Sequence, residues 1–195
     1  MDSDFPLRMT PAEAELFSGQ LASASVYLEY GCGGSTLAAV KSKLQNIVSV
    51  DTDLSWIERL KQNNEIATAL NTGRLVFRPI DVGVIGDWGA PTNQEKIRNW
   101  PRYAVDPFIS TDFDFDLILV DGRFRVHCLI AAAMCAAPHT LIFLHNYKFR
   151  HQYTIADKYF ISVHRVESAA LFRKKADLNY RSLYIDLIVS LFDSQ

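Results

Sequence analysis

The residues VYLEYGCGGSTLAAV, from Val26 to Val40, combine a strand, a turn and a helix in immediate succession. They begin as an apolar run typical of a strand buried on both faces, pass through three glycines within four residues, and resume as a helix of small residues. Gly31 and Gly33 permit backbone angles that other residues avoid, and the start of the helix presents free N–H groups. Ligands of open parallel sheets bind at the carboxyl ends of strands, so this corner predicts a binding site. The simpler alternative is a tight turn that binds nothing.

Strands and helices alternate along the rest of the chain. Strands are predicted at 26–30, 46–51, 74–81, 115–122 and 140–147, helices at about 11–21, 35–43, 54–70, 125–137 and 152–160, and two closing strands within 164–175 and 182–192. This alternation is typical of an α/β fold with a mostly parallel central sheet and helices on both faces. Residues 82–110 show no regular period, and a loop of that length predicts a lid or a substrate region.

Composition and charge limit the class of protein. The chain has 195 residues, 49% hydrophobic and 22% charged, which predicts a single domain over 1–195 with one sizeable core. A net charge of -2 and a pI of about 6.2 disfavour nucleic acid and anionic membranes as partners. No leader segment or membrane-spanning run is recognised, and Cys32, Cys128 and Cys135 lack zinc-site spacing. We expect reduced cysteines and a cytoplasmic protein.

The glycine turn distinguishes between two kinds of nucleotide site. A dinucleotide fingerprint, GxGxxG, requires a glycine at position 36, where this chain has Thr36, and this disfavours a nicotinamide oxidoreductase. The stretch LEYGCGGST instead resembles motif I of the class I S-adenosylmethionine-dependent methyltransferases, E/D-x-G-x-G-x-G, with a serine at the third glycine. The resemblance implies a Rossmann-like methyltransferase fold and S-adenosylmethionine as cofactor. The residues that it implies for cofactor binding in this turn are Glu29, Gly31, Cys32, Gly33 and Ser35.

Acidic residues end the next strands. Asp51 ends the second strand, 22 residues after Glu29, where such folds place an acid against ribose hydroxyls. By the resemblance, Asp81 and Val82 after the third strand lie against adenine, and Asp121 in DLILVDG matches motif IV, which faces the methyl donor and the substrate. Any single acid of this kind can be only a loop cap, but acids at successive strand ends favour a site.

The ends of the fourth and fifth strands supply the candidate catalytic residues. Asp121 and His145 follow neighbouring strands of the predicted sheet and are expected to converge, with His145 as a general base for a hydroxyl acceptor. A histidine that merely caps its strand is the alternative. Asp121, His145 and Asn146 also resemble the metal ligands of catechol-type O-methyltransferases, but loss of one carboxylate makes a divalent metal the less favoured prediction.

Two arginines indicate the chemical class of the acceptor. Arg123 and Arg125 follow Asp121 directly, and a guanidinium can clamp a carboxylate or phosphate. We predict that they bind substrate together with Asn146. The alternative is that one arginine neutralises Asp121 and the other faces water.

These observations predict O-methyl transfer to a small, anionic acceptor. The alternative function is a catalytically inactive module on the same fold, which binds an adenosyl ligand or another protein. A homodimer is expected only as the commonest state of such proteins.

Overall fold

The computed structural model describes residues 5–148 and 150–194. Within them, seven strands form one sheet in the order β3-β2-β1-β4-β5-β7-β6. The strands are β1 (Val26–Tyr30), β2 (Asn46–Asp51), β3 (Leu75–Pro79), β4 (Leu117–Val120), β5 (Leu141–Leu144), β6 (Phe160–Val166) and β7 (Ala169–Lys174). β1 to β5 run parallel, whereas β7 is antiparallel to both β5 and β6. The predicted α/β class with a mostly parallel sheet is confirmed.

Helices cover both faces of this sheet. They are α1 (Pro11–Ser23), α2 (Gly34–Lys41), α3 (Leu54–Leu60), α4 (Asn64–Asn71), α5 (Trp100–Ser110), α6 (Arg125–Cys135), α7 (Ile155–Tyr159) and α8 (Tyr180–Ser190). Successive residues of β4 belong alternately to two apolar clusters: Ile118 and Val120 pack with α5 and α6, and Leu117 and Leu119 pack on the side of α1 and α2. A parallel strand buried on both faces needs such a continuous apolar run. None of the helices in the described residues is long and apolar enough to cross a membrane.

The structure corrects the prediction for one helix and the prediction for the irregular region. The helix predicted over 54–70 is two helices, because the side chain of Asn63 accepts hydrogen bonds from the N–H groups of Glu65 and Ile66 and starts α4 anew. The predicted irregular region 82–110 is irregular only to about residue 99, apart from short 3-10 turns at 87–89 and 97–99. Its last eleven residues form α5, whose Pro107 obscured the helical spacing of Trp100, Tyr103 and Ala104 on the buried face.

The strand predicted over 182–192 is wrong, because these residues fall within α8 and the turn after it. Asn179 caps the helix by accepting a hydrogen bond from the N–H of Ser182 at 3.1 Å. The β-branched residues Ile185, Ile188 and Val189 favoured a strand in the sequence, but packing of Leu183 against the core overrides that preference. The single closing strand predicted within 164–175 is in fact two strands, the end of β6 and the whole of β7, joined by a turn.

Strand order places the predicted site. The chain moves outward from β1 to β2 and β3, and then returns to the other side of β1 with β4. β1 and β4 are neighbours, but the chain leaves their carboxyl ends in opposite directions, and such a topological switch point is where open α/β sheets bind their ligands. Gly31 and Asp121 are the first residues beyond these two strands.

Candidate active site

Two glycines bring the ends of β1 and β4 into backbone contact. Gly31 has φ +93°, and a Cβ added to it would lie 2.7 Å from both Cα and N of Gly122. The N–H of Gly31 donates to the carbonyl of Val50 at 2.8 Å, and the N–H of Asp121 donates to the carbonyl of Tyr30 at 3.0 Å. Any side chain at position 31 would push the two strand ends apart.

Glu29 lies beneath the turn and is fully buried. The hydroxyl of Thr36 donates to its Oε1 at 2.5 Å and itself accepts the N–H of Gly33 at 2.9 Å. Ser49 and Tyr27 donate to the same carboxylate at 2.7 and 3.1 Å. Glu29 thus holds the turn through Thr36 instead of opening towards a ligand.

Burial raises the pKa of Glu29 to about 7, although hydrogen bonds from surrounding hydroxyls, including those of Thr36 and Ser35, oppose the increase. Ser35 therefore faces inward with Glu29. The sequence offered one signal of this network, namely polar residues inside otherwise apolar strands, but Thr36 was noted only as a departure from the dinucleotide fingerprint.

Asp51 reaches the glycine turn from the neighbouring strand. Its Oδ2 accepts the N–H of Cys32 at 2.8 Å, and its Oδ1 accepts the N–H of Asp53 at 2.9 Å. Burial raises the pKa of this carboxyl group, against the effect of these hydrogen bonds. The indole N–H of Trp56 donates to the carbonyl of Cys32 at 2.9 Å. A half-buried acid next to a braced glycine turn can accept hydrogen bonds from a ligand's hydroxyl groups.

Gly33 leaves space at the centre of this arrangement. A Cβ added to Gly33 would have Trp56 as its nearest neighbour, at 3.9 Å. The position is therefore open on the protein side, in contrast to Gly31. Open space above a glycine beside an acid provides the cradle that a close-lying ligand needs.

The residues after β3 are placed less favourably for the predicted adenine contact. Asp81 is exposed, forms an ion pair with Lys96, and accepts the N–H of Gly83 at 3.1 Å, and these contacts lower its pKa. Val82 is only 1% exposed, and its carbonyl accepts the indole N–H of Trp100 at 3.1 Å. The Asp81 carboxylate is accessible to a ligand, whereas the Val82 side chain belongs to the core.

Asp121 and His145 converge, as expected from neighbouring strand ends. Nδ1 of His145 lies 2.9 Å from Oδ1 of Asp121, which also accepts a hydrogen bond from Arg125 at 3.0 Å. The other ring nitrogen of His145, Nε2, lies 3.4 Å from Oε2 of Glu13. Burial lowers the pKa of His145, but the bond to Asp121 and the charges of Asp121 and Glu13 outweigh it, and the pKa is raised. An imidazole with a carboxylate at each nitrogen is stabilised in its protonated form.

Glu13 is a site residue that sequence reasoning missed. It forms a capping box with Thr10, whose N–H donates to Oε2 at 2.9 Å. Its other oxygen accepts both the N–H and the hydroxyl of Ser168, at 2.9 and 2.6 Å. Burial opposes ionisation, but the bonds from Ser168 and Thr10 and the charge of His145 lower the pKa of Glu13 to about 2. A capping box explains a glutamate completely at the sequence level, so no signal pointed to this second role.

Arg125 faces the protein interior. It donates through Nε to the carbonyl of Gly122 at 2.9 Å, and through its terminal nitrogens to the carbonyls of His145 and Asp121 at 2.7 and 2.5 Å. With 8% exposure, it ties the ends of β4 and β5 together beneath Asp121. Arg125 thus fits the alternative given in the sequence analysis, in which one arginine neutralises Asp121 and does not bind substrate.

Arg123 differs from Arg125 in its surroundings. One terminal nitrogen donates to the carbonyl of Ser194 at 3.0 Å, while its Nε is buried and lacks a partner among the described residues. Burial and the nearby charges of Arg125 and Arg150 lower its pKa. This excess of positive charge beside Asp121 favours an anionic ligand.

Asn146 completes the group at the end of β5. It adopts φ +55°, and its Nδ2 lies 3.2 Å from Nδ1 of His145. Asp121, His145 and Asn146 thus lie together, as the weaker metal prediction requires. Both imidazole nitrogens, however, are directed at carboxylates, and no cluster of three histidine, cysteine or acidic residues suited to a metal occurs in the described part of the chain.

Two segments lie against the glycine turn and Asp51. A Cβ on Gly34 would lie 2.6 Å from the backbone nitrogen of Leu7, so the segment before α1 packs on the start of α2. Gly89, within the predicted lid region, accepts a hydrogen bond from Thr52 at 2.7 Å and is buried next to Asp51. The guanidinium of Arg8 stacks over Trp88 at 5.2 Å and joins the two segments.

No family model and no curated protein match the sequence. Among solved structures, a methyltransferase-like protein from Silicibacter pomeroyi DSS-3 is 28% identical, with a TM-score of 0.86 and coverage of 97% of this chain and 98% of that one. The N-methyltransferase NodS from Bradyrhizobium japonicum WM9, in complex with S-adenosylhomocysteine, is 16% identical over 86% and 90% of the chains, with a TM-score of 0.55. The O-methyltransferase TomG from Streptomyces achromogenes, in complex with S-adenosylmethionine, is 13% identical over 87% and 82%, with a TM-score of 0.56.

The strand order, the glycine contact at the switch point and these structural neighbours agree on one fold. They confirm the resemblance that the glycine turn indicated. Its fold is that of the class I S-adenosylmethionine-dependent methyltransferases, which the chain resembles.

Proposed function

We propose that this protein binds S-adenosylmethionine at the carboxyl ends of β1 and β2 and transfers its methyl group to an oxygen of a small, anionic acceptor next to Asp121. The observation that carries the proposal is the open position above Gly33, in the turn that also contains Gly31, packed against Gly122, and Cys32, whose N–H donates to the Asp51 carboxylate. Two neighbours of the same fold were crystallised with S-adenosylhomocysteine or S-adenosylmethionine, which supports this choice of cofactor.

The residues of the turn have distinct roles in this proposal. Asp51 accepts hydrogen bonds from the ribose hydroxyls, and Gly31 and Gly33 allow the ligand to approach the backbone. Cys32 contributes its backbone, which Asp51 and Trp56 already hold in place. Glu29 acts as a positioning residue, since its carboxylate is buried beneath Thr36.

Asp121 is the proposed catalytic residue. The cofactor supplies an electrophilic methyl group on a sulfonium. Oδ1 of Asp121 is occupied by His145 and Arg125, whereas no group in the described part of the chain bonds to Oδ2, and the side chain is 30% exposed. The acceptor hydroxyl donates its hydrogen bond to Oδ2 and loses its proton there as the methyl group is transferred.

His145 has a supporting role in this scheme. With both ring nitrogens directed at carboxylates, it offers no free lone pair to the acceptor. Asp121 and Glu13 favour its protonated form, in which it orients the Asp121 carboxylate and balances the negative charge of the two acids. We therefore propose His145 as a positioning residue and not as the general base that its place in the sequence suggested.

Arg123 is the proposed binding group for the negative charge of the acceptor. It lies two residues beyond Asp121 and keeps an unpartnered nitrogen within a cluster of arginines. Arg125 is excluded from this role because its nitrogens already bond to Asp121 and to backbone carbonyls.

The alternative function, an adenosyl-ligand-binding module without turnover, has one observation in its favour. The segment carrying Gly89 lies next to Asp51, and the hydrogen bond from Thr52 holds it there. A site covered in this way must open before it exchanges a cofactor. A methyl-transfer assay separates the two functions, because only an enzyme produces S-adenosylhomocysteine.

Calorimetric titration with S-adenosylmethionine, S-adenosylhomocysteine and NAD tests the proposal. We expect the two adenosyl ligands to bind and NAD not to bind. Gly33→Ala should retain the fold, because the new methyl group meets nothing closer than Trp56 at 3.9 Å, but should bind the adenosyl ligands at least tenfold more weakly. Gly19→Ala is the matched control, since Gly19 lies on α1, away from the turn, and a Cβ there meets no atom within 4 Å. Equal binding by both variants, or preference for NAD, contradicts the proposed site.

A further inference from the structure

The outer face of α8 is apolar and exposed. Six large side chains along the helix and its end are between 53% and 77% exposed: Tyr180, Tyr184, Ile185, Ile188, Val189 and Phe192. Their spacing of three, four or one residue places them on one side of a helix. We call this surface the α8 stripe. Scattered exposed apolar residues are ordinary, but a continuous stripe of this size marks an interaction surface.

The opposite side of α8 explains why the stripe remains outside. Leu183 and Ser190 are buried against the core, and the hydroxyl of Ser190 lies 2.9 Å from Nδ1 of His127 on α6. Asp186 is turned away to Lys158 and Tyr159, with which it forms hydrogen bonds. The helix is thus fixed in rotation by its inner contacts, and its acidic residue does not interrupt the stripe.

The arrangement of the stripe is close to symmetric about its middle. If two copies of α8 pack antiparallel about a two-fold axis near residue 186, Tyr184 faces Val189 and Ile185 faces Ile188 of the other copy. Arg181, exposed at the start of the helix, then lies opposite Phe192, where a guanidinium can stack on the ring. A surface that is complementary to itself is what a two-fold interface requires.

We propose that the α8 stripe is a homodimer interface, occupied by the α8 stripe of a second copy of this chain. At 53–77% exposure, each of the six side chains offers roughly 100 Å², the three aromatic and the three β-branched ones alike. The stripe therefore supplies on the order of 600 Å² per copy, close to the ~800 Å² that each partner of a stable interface contributes. An anionic lipid surface is a poorer occupant, because residues 180–192 carry only Arg181 as a basic side chain.

Sedimentation velocity of the full chain over a range of micromolar concentrations tests the interface. We expect the wild-type protein at twice the 22.1 kDa of one chain. Ile188→Glu should weaken association at least tenfold and shift the mass towards one chain, because it places a charge at the centre of the stripe. Ile109→Glu is the matched control: Ile109 is 73% exposed, compared with 67% for Ile188, but lies on α5 outside the stripe, so this variant should remain dimeric.

Three results overturn the proposal: a wild-type protein with the mass of one chain at every concentration, an Ile188→Glu variant that dimerises as well as Ile109→Glu, or a monomer that sediments with neutral phosphatidylcholine vesicles. The last result would assign the stripe to a lipid surface. If Ile188→Glu does not fold, hydrogen exchange of the wild-type protein shows whether the α8 stripe is an interface. Amides of residues 184–192 should exchange more slowly in concentrated than in dilute protein, and an unchanged rate rules out the interface.

Discussion

Nδ1 of His145 and Oδ1 of Asp121 lie 2.9 Å apart, although 24 residues separate them along the chain. The pair joins the ends of β4 and β5 and lies at the edge of the sheet where the cofactor is proposed to bind. Since Glu13 faces the other side of the same imidazole, two acids favour the protonated form of the ring. The properties of Asp121 therefore depend on α1 as well as on its own strand.

Asp121→Asn should separate catalysis from binding. An amide cannot take the acceptor proton, so we expect the kcat of methyl transfer to fall by about 10² to 10⁴. Affinity for S-adenosylhomocysteine should stay within a few-fold of the wild type, measured by calorimetry. A large loss of cofactor affinity with little change in kcat would contradict the proposed role of Asp121.

Arg123→Gln should weaken binding of the acceptor and leave binding of the cofactor unchanged. If the guanidinium binds a carboxylate or phosphate of the acceptor, its loss should raise KM for an anionic acceptor by about 10 to 100-fold with a smaller effect on kcat. Arg98→Gln, which removes an exposed arginine from the irregular segment before α5, controls for net charge. Equal KM values for the two variants would remove Arg123 from the acceptor site.

The histidines should titrate differently in an NMR experiment. Burial lowers the pKa of His127 to about 4, whereas the pKa of His145 is raised above its ordinary value of 6.5 by Asp121 and Glu13, despite burial. Glu13→Gln should lower the pKa of His145, and Glu15→Gln, an exposed change on the same helix, should not. A His145 pKa that is the same in both variants would show that Glu13 does not act on the imidazole.

The same network predicts how stability depends on pH. A histidine with a raised folded pKa stabilises the protein fully below its unfolded pKa, near 6.5, and this contribution is lost as pH rises through the folded value. His145→Gln should therefore remove part of the decrease in the free energy of unfolding above pH 6.5. Chemical denaturation at several pH values measures the slope, and an unchanged slope would contradict the prediction.

Glu29 should dominate the pH dependence of the free energy of unfolding between pH 4.5 and about 7. Its pKa is raised from 4.5 to about 7, so the folded state retains a proton that the unfolded state has lost. Stability is greatest below pH 4.5 with respect to this group and falls as pH rises to about 7, by on the order of 3 kcal/mol. Glu29→Gln, which cannot ionise, should flatten this part of the curve. A Glu29→Gln curve as steep as that of the wild type would contradict the assignment.

Gly31→Ala tests the contact between the strand ends. Gly31 and Gly73 both have positive φ, +93° and +73°, so alanine costs about 1 to 2 kcal/mol at either position. At Gly31 the methyl group also meets the backbone of Gly122 at 2.7 Å, whereas nothing lies within 4 Å at Gly73. Gly31→Ala should therefore destabilise the protein by about 1 to 3 kcal/mol more than Gly73→Ala in the same denaturation experiment. Equal losses of stability in the two variants would mean that the strand ends can separate without a cost in free energy.

Elements with a local signal could be predicted from the order of residues. The apolar runs of β1, β2 and β4 and the glycine turn after β1 each depend on residues a few positions apart, and each was predicted from the sequence. The mostly parallel sheet followed from their alternation. Local signals failed where packing competes with propensity: the β-branched residues of α8 favour a strand in isolation, yet its buried face holds it as a helix.

The contacts among the site residues, in contrast, depend on how distant parts of the chain pack together. Which ring nitrogen of His145 faces which acid, the inward turn of Arg125, and the hydrogen bond from Thr36 to Glu29 all join residues from different elements or different turns. Buried polar groups must find partners wherever the fold brings a donor or an acceptor close, and spacing along the chain does not record that distance. The sequence could place Asp121 and His145 at one edge of the sheet, but Glu13 entered the site only because α1 packs across the end of β5.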